Sequence, residues 1–274
     1  MEDVLRTLET VKQMNPIGFD PAVLGKIIES GFVGDVEQIN QCLAHDSECI
    51  EAMAQDNPIP YRDRFSGKDF LVLANGPTLK QEKDKIDAFI KQYNPVVIGS
   101  NYLGGLFTPD IHTFANKKRF IKYAASVRAE SALMVSGRFT DEFVRQYSTK
   151  QYEKIVHMPY LASEFGIQKG LILSSCRTVS LLSAAIAIVM GARRIFIAGM
   201  DGYKHTDRFM KQSVHFYEEA DEPQDFQILM EKHNSNETVL RQIDTYLVQK
   251  GREGIVIMTP TSHRAFYKSI DNFI

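Results

Sequence analysis

The loop after the first strongly apolar run carries the residues best suited to hold a ligand. It consists of Asn75, Gly76, Pro77 and Thr78, directly after residues 70–74. Glycine permits a sharp turn there, and a threonine near a helix start leaves backbone amides that can face an anion. The loop matches neither the Walker pattern nor the dinucleotide fingerprint. It therefore predicts a phosphate or ribose site, with a plain strand-to-helix turn as the alternative.

A second anion site is predicted where hydroxyl residues precede a long apolar helix. Ser174 and Ser175 stand four and three residues before Thr178, where that helix is expected to begin. Either serine would serve as the N-cap, leaving amides at the positive end of the helix dipole. These amides would stabilise a carboxylate or a phosphate, although from this segment alone simple capping is the slightly better explanation of the serines.

Other polar residues also follow apolar runs. Asn101 follows residues 96–99, Asn116 follows residues 111–115, and Asp201 and Tyr203 follow residues 195–199. In doubly wound sheets, ligands bind outside the carboxyl ends of the strands. The sequence therefore predicts one shared site for these residues.

One of the seven histidines stands apart as a candidate base. His233 lies in the segment EKHNSNET, which we predict to be a loop before the last long helix. Neutral imidazole can accept a proton from an attacking hydroxyl near pH 7. No pair of His, Asp or Glu residues has a spacing that suggests a metal site, and no nucleophile elbow is present. We therefore predict no metal and no covalent acyl-enzyme.

The elements that must position these residues are short apolar runs alternating with amphipathic helices. Predicted strands cover residues 70–74, 96–99, 111–115, 132–136, 154–158, 195–199 and 255–259. Predicted helices cover residues 80–92, 140–147, 178–190 and 237–250. This alternation is typical of an α/β fold with a Rossmann-like, doubly wound and mainly parallel sheet.

The N-terminal part of the chain has a different pattern. Residues 1–64 show helical periodicity and end in a stretch rich in Pro, Gly and Asp, which indicates a small helical region and a linker. Residues 65–274 are predicted to be the ligand-binding domain. Residues 204–230 are polar and include an acidic run, so we expect either a lid that orders over the ligand or a solvated surface loop.

Composition limits the class of protein and its partners. The chain has 274 residues and a net charge of −2, so no global basic surface indicates nucleic acid. Three cysteines without paired spacing argue against a disulfide framework. The N-terminus lacks a secretory pattern, and the longest apolar run is too short for a membrane span. We expect a cytoplasmic protein, with peripheral binding at the inner face of the membrane and homo-oligomerisation left open.

The motifs taken together resemble a known family. ANGPTL, GSN, FAN, the serine-rich turn before AIAIVMGARRIFIAGMDGY, KHNSNET and IVIMTPTSHRAF occur in an order and spacing similar to those of bacterial sialyltransferases. These are the Campylobacter and Pasteurellaceae enzymes of glycosyltransferase family 42, with a GT-A-like variant of the Rossmann fold. The resemblance covers roughly residues 70–266 and leaves the N-terminal region outside it.

The resemblance implies a role for each matching residue. The loop of residues 75–78 would grip the nucleotide of a CMP-sugar, and Asn101 and Asn116 would line the donor pocket. Ser174 and Ser175 would hold the carboxylate and phosphate of the donor. Tyr203 would bind the departing phosphate, and His233 would be the general base.

The implied reaction is metal-independent transfer with inversion from a CMP-activated 2-keto sugar acid to a bacterial surface glycan. No cofactor is expected, because helix amides and tyrosine hydroxyls can stabilise a single leaving phosphate. The sequence departs from the family where an arginine is expected, within residues 170–173, and Cys176 replaces a glycine. A second phosphate-binding tyrosine is also not evident. These departures concern the identity of the donor sugar, which can be sialic acid, another nonulosonate or a Kdo-like acid.

Two alternatives remain open from the sequence. The ANGPT loop and the GARRIFIAGMD segment are also similar to 6-hydroxymethylpterin diphosphokinases and to motility accessory factors. A diphosphokinase would need ATP, Mg²⁺ and acidic ligands, for which Asp201 is the strongest candidate. The other alternative is a non-catalytic, degenerate module in polysaccharide assembly.

Overall fold

The structure is a computed structural model that describes residues 59–158, 165–174, 176, 178–203, 215–217 and 226–274. Its strands, numbered here in chain order, are β1 Phe70–Leu73, β2 Val96–Ser100, β3 Ile111–Phe114, β4 Ala132–Ser136, β5 Tyr152–Ile155, β6 His157–Met158, β7 Gly166–Gln168, β8 Leu171–Leu173, β9 Ile195–Ala198 and β10 Val256–Ile257. Its α-helices are α1 Thr78–Gln81, α2 Lys83–Tyr93, α3 Lys117–Tyr123, α4 Asp141–Tyr147, α5 Val179–Val189 and α6 Phe226–Gln249.

Seven strands form one parallel sheet in the order β10-β9-β1-β2-β3-β4-β5. The chain builds outward from β1 through β2, β3, β4 and β5, then returns to place β9 on the other side of β1. The strand order therefore reverses between β1 and β9, which is where ligands bind in doubly wound sheets. The predicted α/β, Rossmann-like fold is confirmed.

Both faces of this sheet are covered. Phe70 and Val72 of β1 pack in the core beneath α5 and α6, whereas Leu71 and Leu73 pack in the core beneath α2. Successive side chains of a strand point to opposite faces, so a strand buried on both sides must be apolar throughout. This burial explains why β1 is a continuous apolar run. Helix α5 is buried almost all round, because it lies between the sheet and α6.

The run predicted as one strand at residues 154–158 divides in two. β5 ends at Ile155 and pairs with β4, whereas His157 and Met158 form β6 and pair with β8 in a separate three-stranded sheet. At the break, the backbone amide of Val156 donates a 3.1 Å hydrogen bond to the hydroxyl of Tyr61. The two sheets therefore share one apolar run of the sequence.

Helix α6 begins eleven residues before the predicted start at residue 237. The segment EKHNSNET, predicted as a loop, is helical. Buried positions recur in α6 at alternating spacings of four and three, which is the apolar stripe of a helix packed on a core. They are Leu229, His233, Asn236, Leu240, Ile243 and Leu247. Two of these positions are polar, and this concealed the stripe in the sequence.

The folded domain extends further towards the N-terminus than residue 65. Ile59 and Tyr61 are buried in the same core as β1 and α5. Two backbone amides, those of Asp63 and Phe65, donate to the carbonyls of Val189 and Met190 at the end of α5. The stretch predicted as a linker therefore packs against the domain from Ile59 onward. Residues 1–58, the bulk of the predicted helical region, lie outside the described residues.

An ion-pair cluster lies where the parallel strands β1 and β9 begin, on the side of the sheet that we call its amino edge. Asp69, just before β1, is buried and accepts hydrogen bonds from Arg193 and Arg194, just before β9, at distances of 2.6–3.1 Å. Burial alone would raise the pKa of the Asp69 carboxyl, but the hydrogen bonds from the two arginines outweigh it and lower that pKa to about 2. This edge is held together by paired charges.

None of the helices in the described part of the chain has both the length and the apolar character required to cross a bilayer.

Candidate functional site

A cavity of about 410 Å³ opens on the side of the sheet where the parallel strands end, which we call its carboxyl edge. It lies beside the ends of β1, β2, β3 and β9, around the point where the strand order reverses. Six of the predicted site residues line it, namely Asn75, Gly76, Asn101, Asn116, Asp201 and Tyr203. Residues separated by more than a hundred positions in the sequence therefore meet in one place, as the parallel sheet predicts.

Asn75 and Asn101 tie together the loops after β1 and β2. The side-chain nitrogen of Asn75 donates to the carbonyls of Ser100 and Tyr102 at 2.9 and 2.8 Å. The side-chain nitrogen of Asn101 donates to the side-chain oxygen of Asn75 at 3.3 Å. Much of the hydrogen-bonding capacity of Asn75 is thus used within the protein. Its first role is to shape the cavity wall.

The backbone of Asn101 is held in a left-handed conformation, with a φ of 53°. Asparagine tolerates this region better than most residues. The Asn101 amide donates to the carbonyl of Thr113 at 3.0 Å, and its carbonyl accepts from Nε2 of His112. Burial lowers the pKa of His112 to about 4, against the effect of this hydrogen bond, so the ring is neutral at pH 7. Strand β3 therefore positions Asn101.

Gly76 and Asp201 hold the loop after β1 against the end of β9. We call the contacts between the Asp201 carboxylate and Thr78 the lock. A Cβ atom at residue 76 would lie 2.5 Å from a carboxylate oxygen of Asp201 and 2.6 Å from the carbonyl oxygen of Gly199. The Asp201 carboxylate accepts hydrogen bonds from the backbone amide of Thr78, at 2.9 Å, and from its hydroxyl. Burial raises the pKa of Asp201, opposed by these hydrogen bonds.

This lock changes the role expected for the start of helix α1. We predicted that amides near Thr78 would face a bound anion, but Asp201 already occupies the amide of Thr78. Neither Pro77 nor Thr78 lines the cavity, and Pro77, not Thr78, is the N-cap of α1. The loop of residues 75–78 therefore contributes its first two residues to the cavity and its last two to the lock.

Asn116 caps helix α3 at the rim of the cavity. Its side-chain oxygen accepts from the backbone amide of Arg119 at 3.1 Å. The cap uses the side-chain oxygen and not the two donors on the side-chain nitrogen. Arg119, one turn into α3, also lines the cavity and lies over the ring of Tyr217, 5.6 Å from its centroid.

Helix α5 presents its N-terminus to the cavity through residues other than the predicted serines. The helix begins at Val179 with Thr178 as its N-cap, and Thr178, Val179 and Ser180 line the cavity. Ser174 is buried away from the cavity, with its hydroxyl 3.1 Å from the sulfur of Cys176. The predicted N-cap at Ser174 is therefore wrong, and Ser175 lies outside the described residues.

Buried polar atoms of two cavity-lining residues, Asn101 and Thr178, bear on what the cavity can bind. The side-chain oxygen of Asn101 and the hydroxyl of Thr178 have no hydrogen-bond partner within the described part of the chain. The Thr178 hydroxyl makes no capping hydrogen bond to α5. A buried polar atom without a partner costs free energy, about 1–3 kcal/mol, so such atoms in a cavity are suited to hydrogen-bond a ligand.

His233 lies inside α6, one layer behind the cavity wall. Its side chain is 0% exposed, and it is not among the side chains that line the cavity. Its Nδ1 accepts from the backbone amide of Tyr203 at 3.2 Å, and its Nε2 lies 3.4 Å from a carboxylate oxygen of Glu237. The predicted base and Tyr203 are thus adjacent, but Tyr203 alone of the two lines the cavity.

A second imidazole stacks on His233. The ring of His263 lies parallel to that of His233, with centroids 4.2 Å apart and an interplanar angle of 2°. Nδ1 of His263 is 3.8 Å from the same Glu237 oxygen, and His263 lines the cavity. The potential ligand atoms of His233, Glu237 and His263 lie within 4.8 Å of one another.

The sequence suggested no such grouping, because His233 was placed in a loop and its four-residue spacing from Glu237 had no meaning there. A metal ion binds an imidazole in the plane of its ring. Since the two rings are stacked in parallel planes, one ion cannot lie in both planes. The arrangement suits the sharing of protons through a carboxylate better than the binding of one ion.

The predicted lid falls largely on residues that the structure does not describe, namely 204–214 and 218–225. Residues 226–230 belong to α6. Residues 215–217 pack beside the cavity, where the backbone amide of Phe216 donates to the carbonyl of Asn75 at 2.9 Å. His215 lines the cavity, and Tyr217 is buried. This part of the predicted lid is therefore in contact with the loop after β1.

Sequence reasoning missed several residues of the cavity. They are Arg119, Thr178, Ser180, Lys232, Asn236 and His263. A signal existed for three of them, because Arg119 lies three residues after Asn116 and Thr178 directly precedes the apolar helix. His263 also follows a predicted strand, at residues 255–259, at the same distance as Tyr203 follows residues 195–199. Asn236 had no such signal, because it was predicted to lie in a loop.

Comparisons with known proteins give only distant similarity. No known protein family and no curated protein matches the sequence. Among solved structures, the sialyltransferase CstII from Campylobacter jejuni, in complex with a substrate analogue, is 14% identical, with 75% of this chain and 86% of that chain covered and a TM-score of 0.43. The MAf glycosyltransferase from Magnetospirillum magneticum is 14% identical, with 83% and 40% covered and a TM-score of 0.39. Likeness at this level does not establish a shared activity, which has to be inferred from the site.

Proposed function

We propose that this protein is a glycosyltransferase that transfers a 2-keto sugar acid from its CMP-activated form to a glycan, with inversion and without a metal ion. The observation that carries the proposal is the cavity beside the N-terminus of α5, in which buried atoms of Asn101 and Thr178 have no hydrogen-bond partner among the described residues. A nucleotide-sugar offers what such a cavity needs, namely amino and hydroxyl donors together with an anionic phosphate.

Electrostatics of the cavity favour an anionic ligand. Arg119 and Lys232 line the cavity, and the backbone amides at the start of α5 add the positive end of its dipole. The carboxylate in the lining is that of Asp201, which is already engaged by Thr78. A phosphate and the carboxylate of a sugar acid would therefore be stabilised here.

The same features argue for transfer without a divalent ion. A metal-bound diphosphate needs carboxylates that are available at the strand ends. Asp201, the strongest acidic candidate for a Mg²⁺-dependent diphosphokinase, is directed to Thr78 instead. A CMP leaving group carries one phosphate, which amide donors and cationic side chains can stabilise alone.

In the proposed reaction, Asn75, Asn101 and Asn116 form the donor pocket, and Tyr203 binds the leaving phosphate. The acceptor hydroxyl loses its proton to the stacked pair of imidazoles. This pair consists of His233, which is the predicted base, and His263. Surface glycan as the acceptor, a cytoplasmic location and self-association remain predictions from the sequence resemblance.

Calorimetric titration of the full chain with CMP in the presence of EDTA tests this proposal, with UMP, GMP and ATP plus Mg²⁺ as controls. We expect selective binding of CMP, followed by release of CMP from CMP-activated 2-keto sugar acids when an acceptor is added. Preference for ATP with Mg²⁺ would favour a diphosphokinase. Failure to bind any nucleotide would favour a non-catalytic module.

A further inference from the structure

We propose that His263 is the imidazole that exchanges a proton with a molecule bound in the cavity, and that Glu237 and His233 are positioning residues that orient it. This inference rests on the proposed function, in which an acceptor hydroxyl must be deprotonated. It assigns the step to a residue for which the sequence motifs gave no role.

One ring nitrogen of His233, Nδ1, is engaged by a hydrogen bond inside the protein. The Tyr203 amide donates to Nδ1, so the proton of the neutral ring is on Nε2, which faces Glu237 at 3.4 Å. The side chains of both histidines are buried, but His263 lines the cavity and His233 does not. A base must come within hydrogen-bond reach of the proton that it removes. Of the two rings, that of His263 is therefore the one adjacent to a molecule in the cavity.

The segment that carries His263 is anchored to the end of β9. The Thr261 hydroxyl donates to the carbonyl of Met200 at 2.7 Å and accepts from the backbone amide of His263 at 3.1 Å. The backbone amide of Ser262 donates to the carbonyl of Asp201 at 2.8 Å. These bonds hold the backbone at His263 beside the carboxyl edge of the sheet.

Glu237 gives the two rings a common carboxylate. Nδ1 of His263 lies 3.8 Å from this carboxylate, and in the proposed arrangement Nδ1 carries the proton of the neutral ring and Nε2 is the basic nitrogen. Arg241 contacts the other oxygen of Glu237 at 2.7 Å and so restrains the carboxylate. This is the logic of a carboxylate that orients a catalytic histidine and stabilises its charged form.

Other charged groups also bear on the proton of His263. The stacked ring of His233 opposes a second positive charge, so the pair would hold one extra proton at a time. Lys232 and His215 line the same cavity, and Asp201 lies on the neighbouring strand end. The Glu237 carboxylate differs from Lys232, His215 and Asp201 in that it lies beside both imidazole rings.

The proposed step is balanced. The acceptor oxygen forms a bond to the anomeric carbon while its proton passes to Nε2 of His263. The bond from the anomeric carbon to the phosphate oxygen breaks, and its electron pair leaves with CMP. The resulting imidazolium lies beside Glu237 and returns its proton to solvent after the product departs.

NMR of the full chain with ¹⁵N-labelled histidine tests which ring takes up the proton, with assignments from the variants His233→Gln and His263→Gln. On lowering the pH from about 8 to about 5, we expect His263 to gain a proton while His233 keeps its proton on Nε2. Addition of CMP should shift the signals of His263 more than those of His233. A spectrum in which His233 takes up the proton, or in which neither ring does, overturns the inference.

Transfer assays supply a second readout. His263→Gln should lower kcat by about 100-fold or more and remove the acidic limb of the pH profile, while CMP affinity changes by less than about threefold. His233→Gln should cost about tenfold or less, and Thr245→Ala, at an exposed position of the same helix, should leave activity unchanged. A larger loss for His233→Gln than for His263→Gln would contradict the inference. If wild-type protein binds no CMP, the proposed function fails, yet the pH titration still decides between the two rings.

Discussion

The two edges of the central sheet each hold an aspartate, and the environments of these two residues are opposite. At the amino edge, Asp69 is paired with Arg193 and Arg194, and its pKa falls to about 2. At the carboxyl edge, Asp201 accepts from the amide and hydroxyl of Thr78, and burial raises its pKa.

The difference shows how the domain separates stability from binding. At the amino edge, the Asp69 carboxylate has its partners within the protein, in Arg193 and Arg194. At the carboxyl edge the lock between Asp201 and Thr78 closes the loop after β1, yet in the part of the chain that the structure describes, atoms of Asn101 and Thr178 beside it have no hydrogen-bond partner. Such atoms are tolerated where a ligand can satisfy them.

The largest expected effect comes from breaking the lock at the carboxyl edge. Gly76→Ala places a Cβ 2.5 Å from the Asp201 carboxylate and 2.6 Å from a backbone carbonyl. Because the backbone contact cannot relax cheaply, we expect a loss of about 3 kcal/mol in the free energy of unfolding, measured by urea denaturation. Gly166→Ala, whose Cβ would have no atom nearer than 4.0 Å, is the control and should change stability by less than about 0.5 kcal/mol. Equal stability of the two variants would refute the lock.

The next effect concerns the ion pairs of the amino edge. Asp69→Asn should lower the free energy of unfolding by about 2 kcal/mol at pH 7 and leave CMP binding unchanged. The folded pKa of Asp69 lies below the ordinary value of 3.8, so its contribution is complete above about pH 4 and is lost as the pH falls towards 2. The wild-type and variant curves should therefore converge in acid.

Urea denaturation at several pH values measures this convergence. Asp63→Asn is the matched control, because Asp63 is exposed and pairs with an exposed arginine; its effect should be a few tenths of a kcal/mol. A constant difference between wild type and Asp69→Asn down to pH 2 would show that the ion pairs are not its cause.

The smallest effect is also the most specific to the cavity. Thr178→Val removes a buried hydroxyl that has no partner in the described structure, so stability should stay constant or rise by up to about 1 kcal/mol. CMP affinity, measured by calorimetry, should fall about five- to tenfold.

Thr113→Val is its counterpart at a satisfied position. The Thr113 hydroxyl bonds to the carbonyl of Gly99 at 3.0 Å and to Ser183 at 2.8 Å. Its removal should cost about 1–2 kcal/mol of stability with little change in CMP affinity. If both valine variants destabilised the protein equally, the Thr178 hydroxyl would have to be satisfied within the protein.

The sequence by itself determined the fold class and the edge of the sheet that carries the site. Apolar runs and helical periodicity are local signals, so every strand of the large sheet was anticipated, although the run at residues 154–158 was not expected to divide. The rule that ligands bind at the carboxyl ends of strands then identified Asn75, Asn101, Asn116 and Asp201 as neighbours.

Only the tertiary structure decided which of these side chains remain available to a ligand. Asp201 is engaged by Thr78, from a loop more than a hundred residues away, and His233 turns out to be a buried position of α6 with His263 beside it. A polar residue in a helical stripe carries no local sign of burial, because burial depends on what packs against that stripe. Contacts between distant segments set hydrogen-bond partners, and those partners decide whether a polar residue shapes the cavity or serves the ligand.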